Sequence, residues 1–267
     1  MPTPRTAIST DGTPIRFELG GCGDVALVFV HCWNGERSFW RETLAAFSEH
    51  HTVVAFDLAG HGESGRNRKT WSIAAYADDL RAVVELVPSP RLVLIGHSMG
   101  AYVALEAALA LGTRVLGLVP VDSLLDVASR RSPARIESDL LPWRRDYARS
   151  VELFTRAWLF ADSTPPAVIE RVVALARNAD PTIAIESIAD CWGYDAAAAF
   201  AQLRIPIHAI NADNHPTDLP GNRRFAPQFK VTLMNGVGHY PMLEDPPRFN
   251  ALLANLLRDV LYPAGGD

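Results

Sequence analysis

Gly96-His97-Ser98-Met99-Gly100 sets a serine between two glycines, each two residues away. A serine hydroxyl is a weak nucleophile until a base takes its proton, so it needs a position that both exposes it and presents it to a partner. The flanking sequence supplies one. The apolar run Leu92-Val93-Leu94-Ile95 comes before, and the helix formers Ala101-Tyr102-Val103-Ala104-Leu105-Glu106-Ala107-Ala108 come after. A sharp strand-to-helix turn lifts a nucleophile above a sheet, and glycines on both sides remove side chains that would collide there. The helix that starts at such a turn aims its free N–H groups at developing negative charge. Taken alone, these five residues would also suit a tight turn without chemistry. The strand before them and the helix after them favour the nucleophile.

The elements that must position Ser98 repeat along the chain. Val25–Val30, Thr52–Phe56, Val115–Val119, Ile205–Ile210 and Lys230–Met234 are short apolar runs of strand length. Runs that are apolar on both faces suit buried parallel strands. Between them lie helical patterns, such as Ile73, Tyr76, Ala77, Leu80, Val83, Val84 and Val87. Strand–helix alternation of this kind predicts an α/β fold: a mostly parallel sheet flanked by helices. From about residue 124 to 202 the pattern is helical with no convincing strand, and it carries Trp143, Trp158, Phe160, Trp192 and Tyr194. The expected organisation is a core domain of residues 1–123 and 203–267, interrupted by a helical insertion at 124–202. The last helix presents Phe249, Leu252, Leu253, Leu256, Leu257 and Val260 on one face.

Composition narrows the function classes. The chain has 267 residues, 48% hydrophobic and 21% charged, with a net charge of −5. No dense Lys/Arg run is present, which argues against nucleic acid as a partner. No run reaches the roughly 20 apolar residues of a membrane span, and the N-terminus lacks the apolar stretch of a signal peptide. Cys22, Cys32 and Cys191 have neither the number nor the spacing of a disulfide framework or a zinc site. A cytoplasmic protein acting on a small molecule, without metal or cofactor, is expected. Whether it forms a homo-oligomer stays open.

With the loop His31-Cys32-Trp33-Asn34-Gly35 after the first apolar run, the sequence resembles the α/β-hydrolase superfamily of serine esterases and lactonases with a helical cap. The resemblance implies that the backbone N–H groups of Trp33 and Met99 form an oxyanion hole. Cys32 stands where glycine is common, and a small buried residue is the expected reading rather than a reactive thiol. Asp57-Leu58-Ala59-Gly60-His61-Gly62-Glu63-Ser64 resembles a family signature and is expected to be a structural turn. Gly236-Val237-Gly238-His239-Tyr240-Pro241 matches the family's C-terminal histidine loop, which implies that His239 is the base. His97 is expected only to pack behind the site.

The acid that orients His239 has two candidates. Family members usually carry it after the strand at 206–210, where Asp213 lies two residues early and His215 holds the usual position. The other known site follows the preceding strand, at Asp122, and it is preferred here. The resemblance implies that the 124–202 segment is a cap that closes over the nucleophile. His31, Cys32, Trp143, Trp158, Trp192 and Tyr240 are the expected substrate contacts, although most cap aromatics in such folds simply hold helices together. The leading expectation is hydrolysis of an ester, thioester or lactone of a small apolar substrate. Two alternatives remain: a cofactor-free dioxygenase of the same fold acting on an N-heteroaromatic compound, suggested by His31-Cys32-Trp33, and a hydrolase-like ligand receptor. Oxygen consumption would reveal the first. A burst of ester cleavage without steady turnover would reveal the second.

Overall fold

The computed structural model describes residues 3–261. Two N-terminal strands that the apolar-run pattern does not reveal, β1 (Thr3–Ile8) and β2 (Pro14–Gly20), form an antiparallel hairpin. Ile15, Phe17 and Leu19 alternate inward along β2 while Arg16 and Glu18 face outward, the period-2 pattern of a strand buried on one side. β2 pairs antiparallel with β4 (Thr52–Phe56). The remaining neighbours run parallel: β3 (Val25–Val30), β5 (Arg91–His97), β6 (Val115–Val121), β7 (Ile207–Ala212) and β8 (Phe229–Met234). The strand order is β1-β2-β4-β3-β5-β6-β7-β8.

Successive strand residues point to opposite faces, so one apolar run serves two cores. Val28, Val30, Val54, Phe56 and Leu94 meet α2 (Ile73–Val84) and α3 (Met99–Leu111). Leu27, Phe29, Val53, Ala55 and Ile95 meet α1 (Arg41–Phe47) and the last helix, Pro246–Leu261, on the other face. That helix buries Phe249, Leu253, Leu256, Leu257 and Val260, close to the stripe expected from sequence. Each such side chain contributes roughly 1.5–3 kcal/mol when fully removed from water.

Five helices link β6 to β7: α4 (Pro133–Arg145), α5 (Tyr147–Trp158), α6 (Pro166–Asn178), α7 (Pro181–Gly193) and α8 (Ala196–Gln202). Side-chain oxygens of Ser132, Asp146, Asp180 and Asp195 cap four of them by accepting early backbone N–H groups. β6 and β7 are paired neighbours, with Val121 in register with Ile210, so the helical excursion leaves and returns at adjacent positions. α8 packs against the sheet domain, its Phe200 ring 5.6 Å from Phe229 of β8. Among the described residues two further short helices, α9 (Leu219–Phe225) and α10 (Pro241–Glu244), precede the last helix, which is α11.

The order places a topological switch point between β3 and β5. From β3 the chain moves outward to β4, then returns through α2 to β5 on the other side. Crevices at the carboxyl ends of strands at such points are where open α/β sheets bind ligands. Trp33 follows β3 and Ser98 follows β5 at that crevice.

Candidate active site

Ser98 sits between β5 and α3 with φ 53° and ψ −120°, a conformation that a non-glycine residue adopts only at a cost. The turn is tight enough to dictate its neighbours. A Cβ on Gly96 would lie 2.3 Å from the Gly100 carbonyl oxygen, and one on Gly100 would lie 2.5 Å from the carbonyl oxygens of both Val30 and His31. Both glycines are therefore steric requirements. The second also shows how closely the loop after β3 is pressed against the first turn of α3. The Ser98 N–H donates to Val121 O at 3.0 Å, and Ser123 Oγ donates to Ser98 O at 2.9 Å, so the elbow is pinned from β6.

The loop after β3 is held by His31. Its Nδ1 donates to Cys32 O at 2.8 Å, and its Nε2 accepts the Leu58 N–H at 2.9 Å. Those partners fix one neutral tautomer, and burial pushes the imidazole pKa down to about 4. Trp33 Nε1 donates to Ala184 O of α7 at 2.8 Å, and Asn34 Nδ2 donates to the Tyr147 hydroxyl of α5 at 2.9 Å. Among the described residues, neither the Trp33 N–H nor the Met99 N–H has a hydrogen-bond partner. Unpaired N–H groups, one at the start of a helix and one in the adjoining loop, are the kind of donors that can stabilise an oxyanion.

His239 lies in the loop after β8. Its Nδ1 donates to Asp122 Oδ2 at 2.5 Å, and Asp122 Oδ1 accepts the Ala212 N–H at 2.8 Å. Asp122 is buried at the end of β6 with φ 41°. Its carboxylate fixes the tautomer that leaves His239 Nε2 free to act on a hydroxyl. Asp213, the other candidate, accepts the Gly236 N–H at 2.9 Å on the surface, and among the described residues no hydrogen bond or ion pair joins it to the imidazole. His215 Nε2 reaches Trp158 O at 3.4 Å instead. No hydrogen bond joins Ser98 Oγ to the His239 ring; such contacts are commonly long without substrate and tighten when it binds.

Glu244, which carries no expectation from sequence, shapes the histidine loop. Glu244 accepts the Gly238 N–H at 2.8 Å, the Tyr240 N–H at 3.0 Å and the Thr164 hydroxyl at 2.7 Å. A carboxylate five residues past the histidine was the available signal. Asn211, fully buried, accepts the Ser123 N–H at 3.2 Å, a link between β7 and β6 with no local sequence signature.

A cavity of about 320 Å³ opens on Ser98, lined also by Met99, Tyr102, Ile188, Trp192 and Arg131. Of the expected substrate contacts, Trp192 lines it and the others do not. His31 and Cys32 are buried beneath the loop, because their backbones carry the turn and their side chains point into the core. Burial raises the Cys32 thiol pKa to about 12, so it stays protonated, as expected for a small buried residue. Trp143 packs into an aromatic cluster with Trp33, 5.2 Å between ring centroids, and with Phe154 and Trp192. Tyr240 is buried against His97 and His239. Trp158 is 59% exposed at the end of α5. Asp126, Ser129 and Arg131 share the cavity lining with the apolar groups. A second cavity, about 520 Å³, lies around Arg37 and Asp57 and does not reach Ser98. Asp57 there accepts the N–H groups of Arg37 and Glu63 and pairs with the Arg37 guanidinium, the structural role expected of that turn. Among the described residues no group of three or more His, Cys, Asp or Glu side chains is arranged to hold a metal ion, and no helix is long and apolar enough to cross a membrane.

The fold and this site define an α/β hydrolase, and the comparison with known families agrees. The sequence profile of the alpha/beta hydrolase family matches residues 27–252, so the chain belongs to that family. Over 248 residues it is 26% identical to a putative carbamate hydrolase of Escherichia coli, covering 88% of this chain and 91% of that one. Uncharacterized proteins of Mycobacterium are 34% identical over 92 residues, and the chain spans only 27% of their length in that match. Among solved structures, a bromoperoxidase from Bacillus anthracis superposes with a TM-score of 0.84 at 21% identity, covering 96% of this chain and all of that one. A thermophilic esterase from Thermogutta terrifontis gives 0.82 at 24% identity, covering 97% and 99%. At these identities the structural likeness concerns the fold.

Proposed function

We propose that the protein is a serine hydrolase that cleaves an ester, thioester or lactone through an acyl-enzyme on Ser98. The observation that carries this reading is the 2.5 Å bond from His239 Nδ1 to the buried Asp122, set beside a strand-to-helix elbow whose central residue is a serine. Substrate enters the crevice between the sheet and helices α4–α7, which serve as a cap. His239 Nε2 takes the Ser98 proton as Oγ attacks the carbonyl carbon. The tetrahedral oxyanion is received by the N–H groups of Trp33 and Met99, whose loss individually would cost about 10²–10³ in rate. The imidazolium, stabilised by Asp122, passes its proton to the departing alcohol, thiol or lactone oxygen. Water then attacks the acyl-enzyme by the same route and regenerates Ser98.

Because Trp33 and Asn34 bond to α7 and α5, the oxyanion loop and the cap are one connected unit, which supports closure over a bound acyl group. The test is covalent labelling with a fluorophosphonate, with the adduct mapped by mass spectrometry. Labelling of Ser98 that disappears in Ser98→Ala, together with steady turnover of a chromogenic ester, is the expected outcome. An unlabelled Ser98 overturns the reading.

A further inference from the structure

We propose that the cavity beside Ser98 selects substrates whose acyl portion carries a carboxylate, which pairs with Arg131. This rests on the acyl-enzyme reading and names its substrate class. Arg131 lies in the loop between β6 and α4 and is fixed by three contacts. Its N–H donates to Trp192 O at 3.1 Å, its guanidinium carbon lies 3.7 Å from the centroid of the Trp192 ring, and its Nη1 donates to Asp139 Oδ2 at 2.9 Å. A guanidinium held over an indole ring by a cation–π contact keeps N–H groups available for hydrogen bonds.

The charges around it leave that edge short of a partner. Asp139 is shared, because Arg135 Nε donates to both of its oxygens at 2.7 and 2.8 Å. Two arginines on one carboxylate leave a net positive charge. Arg131 Nε and Nη2 have no acceptor among the described residues. Partial burial and the neighbouring Arg135 disfavour the charged form, opposed by Asp139, so an incoming anion would improve the balance.

The other titratable groups facing the cavity do not compete for it. Asp122 is turned toward His239 and the Ala212 N–H. Asp126, exposed at the rim, accepts the Ala128 N–H at 3.0 Å and forms no ion pair with Arg131. It would repel an anion at the rim and favour one on the Trp192 side. The thiol of Cys191 and the hydroxyls of Tyr102 and Tyr194 are all pushed to higher pKa by burial and stay neutral. One planar fork suits a carboxylate, whereas a phosphate dianion would call for further cations that this cavity lacks.

The test compares p-nitrophenyl monoesters of succinate, glutarate and adipate with their methyl-capped neutral counterparts. For the best chain length, wild type is expected to show a kcat/KM ratio of about 10 or more in favour of the carboxylate, the scale of one charged hydrogen bond. Arg131→Gln brings that ratio near one through KM, and Arg131→Lys retains part of it. Arg130→Gln, on the surface ion pair with Asp195, leaves the ratio unchanged. No preference in wild type overturns the inference while leaving the hydrolase reading intact, as does an equal fall for both esters in Arg131→Gln. If no ester is turned over and Ser98 resists fluorophosphonate, the hydrolase reading fails. Glutarate binding by calorimetry then still decides this one: heat with wild type and none with Arg131→Gln supports it, and no binding to wild type overturns it.

Discussion

His97 Nε2 donates a 2.7 Å hydrogen bond to the backbone carbonyl oxygen of His239. The residue before the candidate nucleophile thus holds the main chain of the candidate base, across 142 positions of sequence. The two rings lie 4.7 Å apart, with Tyr240 and Trp40 closing around His97. Burial and the neighbouring His239 keep the His97 pKa well below the usual imidazole value. A neutral His97 carries one proton, and the carbonyl partner places it on Nε2. Elbow and histidine loop are therefore registered to one another before any substrate arrives.

Removing that bond should slow turnover without weakening binding. His97→Asn is expected to lower kcat about 3–10-fold, the value of one net hydrogen bond, with KM nearly unchanged. Steady-state kinetics across pH 6–9 measure it. A residue that only filled space would change stability and leave kcat and its pH profile alone.

Asp122→Asn is expected to cut kcat by about 10³–10⁴, because an amide favours the wrong imidazole tautomer while preserving shape. Asp213→Asn keeps an oxygen for the Gly236 N–H and should stay within a few-fold of wild type. Single-turnover kinetics on the two variants discriminate between them. A severe loss in Asp213→Asn would move the acid to β7.

The sheet strands were legible wherever burial on both faces produced unbroken apolar runs, as at Val25–Val30. The β1–β2 hairpin escaped because its signal is a different one: alternation, with an Asp11-Gly12 turn. Ser98 and His239 carry local motifs, and each motif sits in its strand-to-loop context. Asp122 has no motif; only the pairing of β6 with β7 and the reach of the histidine loop separate it from Asp213. Substrate contacts were least legible. Residue type alone points to the aromatics, yet Trp143 and Trp158 end in a packed cluster and on the surface, while Arg131 owes its place to a contact with Trp192 invisible in one dimension.

Gly100→Ala is expected to cost about 3 kcal/mol or more, since its Cβ must displace backbone carbonyls that cannot rotate away. Gly112→Ala is the matched control: φ is +54° there but no atom lies within 4 Å of the added methyl, so a loss nearer 1 kcal/mol is expected. Urea unfolding of both variants gives the comparison. Equal losses would mean that the elbow is looser than its contacts indicate.

Cys22 is exposed and Cys32 is buried with its thiol pKa raised to about 12. Iodoacetamide at pH 8 should therefore modify Cys22 in the native protein and spare Cys32 until denaturant is added, because only a thiolate in contact with solvent reacts. Peptide mapping with and without urea reads this directly. Rapid native labelling of Cys32 would show that the loop after β3 opens in solution.

Stability should fall steeply on mild acidification. Burial lowers the pKa of His31 to about 4 and of His61 to about 3, and lowers His97 well below 6.5. In the unfolded chain each would titrate near 6.5. Between 6.5 and the folded values, the unfolded chain binds protons that the folded chain refuses. The stabilisation is thus complete above pH 6.5 and is lost progressively as pH falls. Asp57 and Asp79 act in the opposite sense, because burial raises their pKa above 3.8. Urea midpoints at pH 7.5, 6.5, 5.5 and 4.5 should therefore decrease progressively, and His97→Asn should flatten the slope by the share of one proton. A midpoint constant from pH 7.5 to 5.5 would mean that these imidazoles reach solvent and titrate in the folded protein.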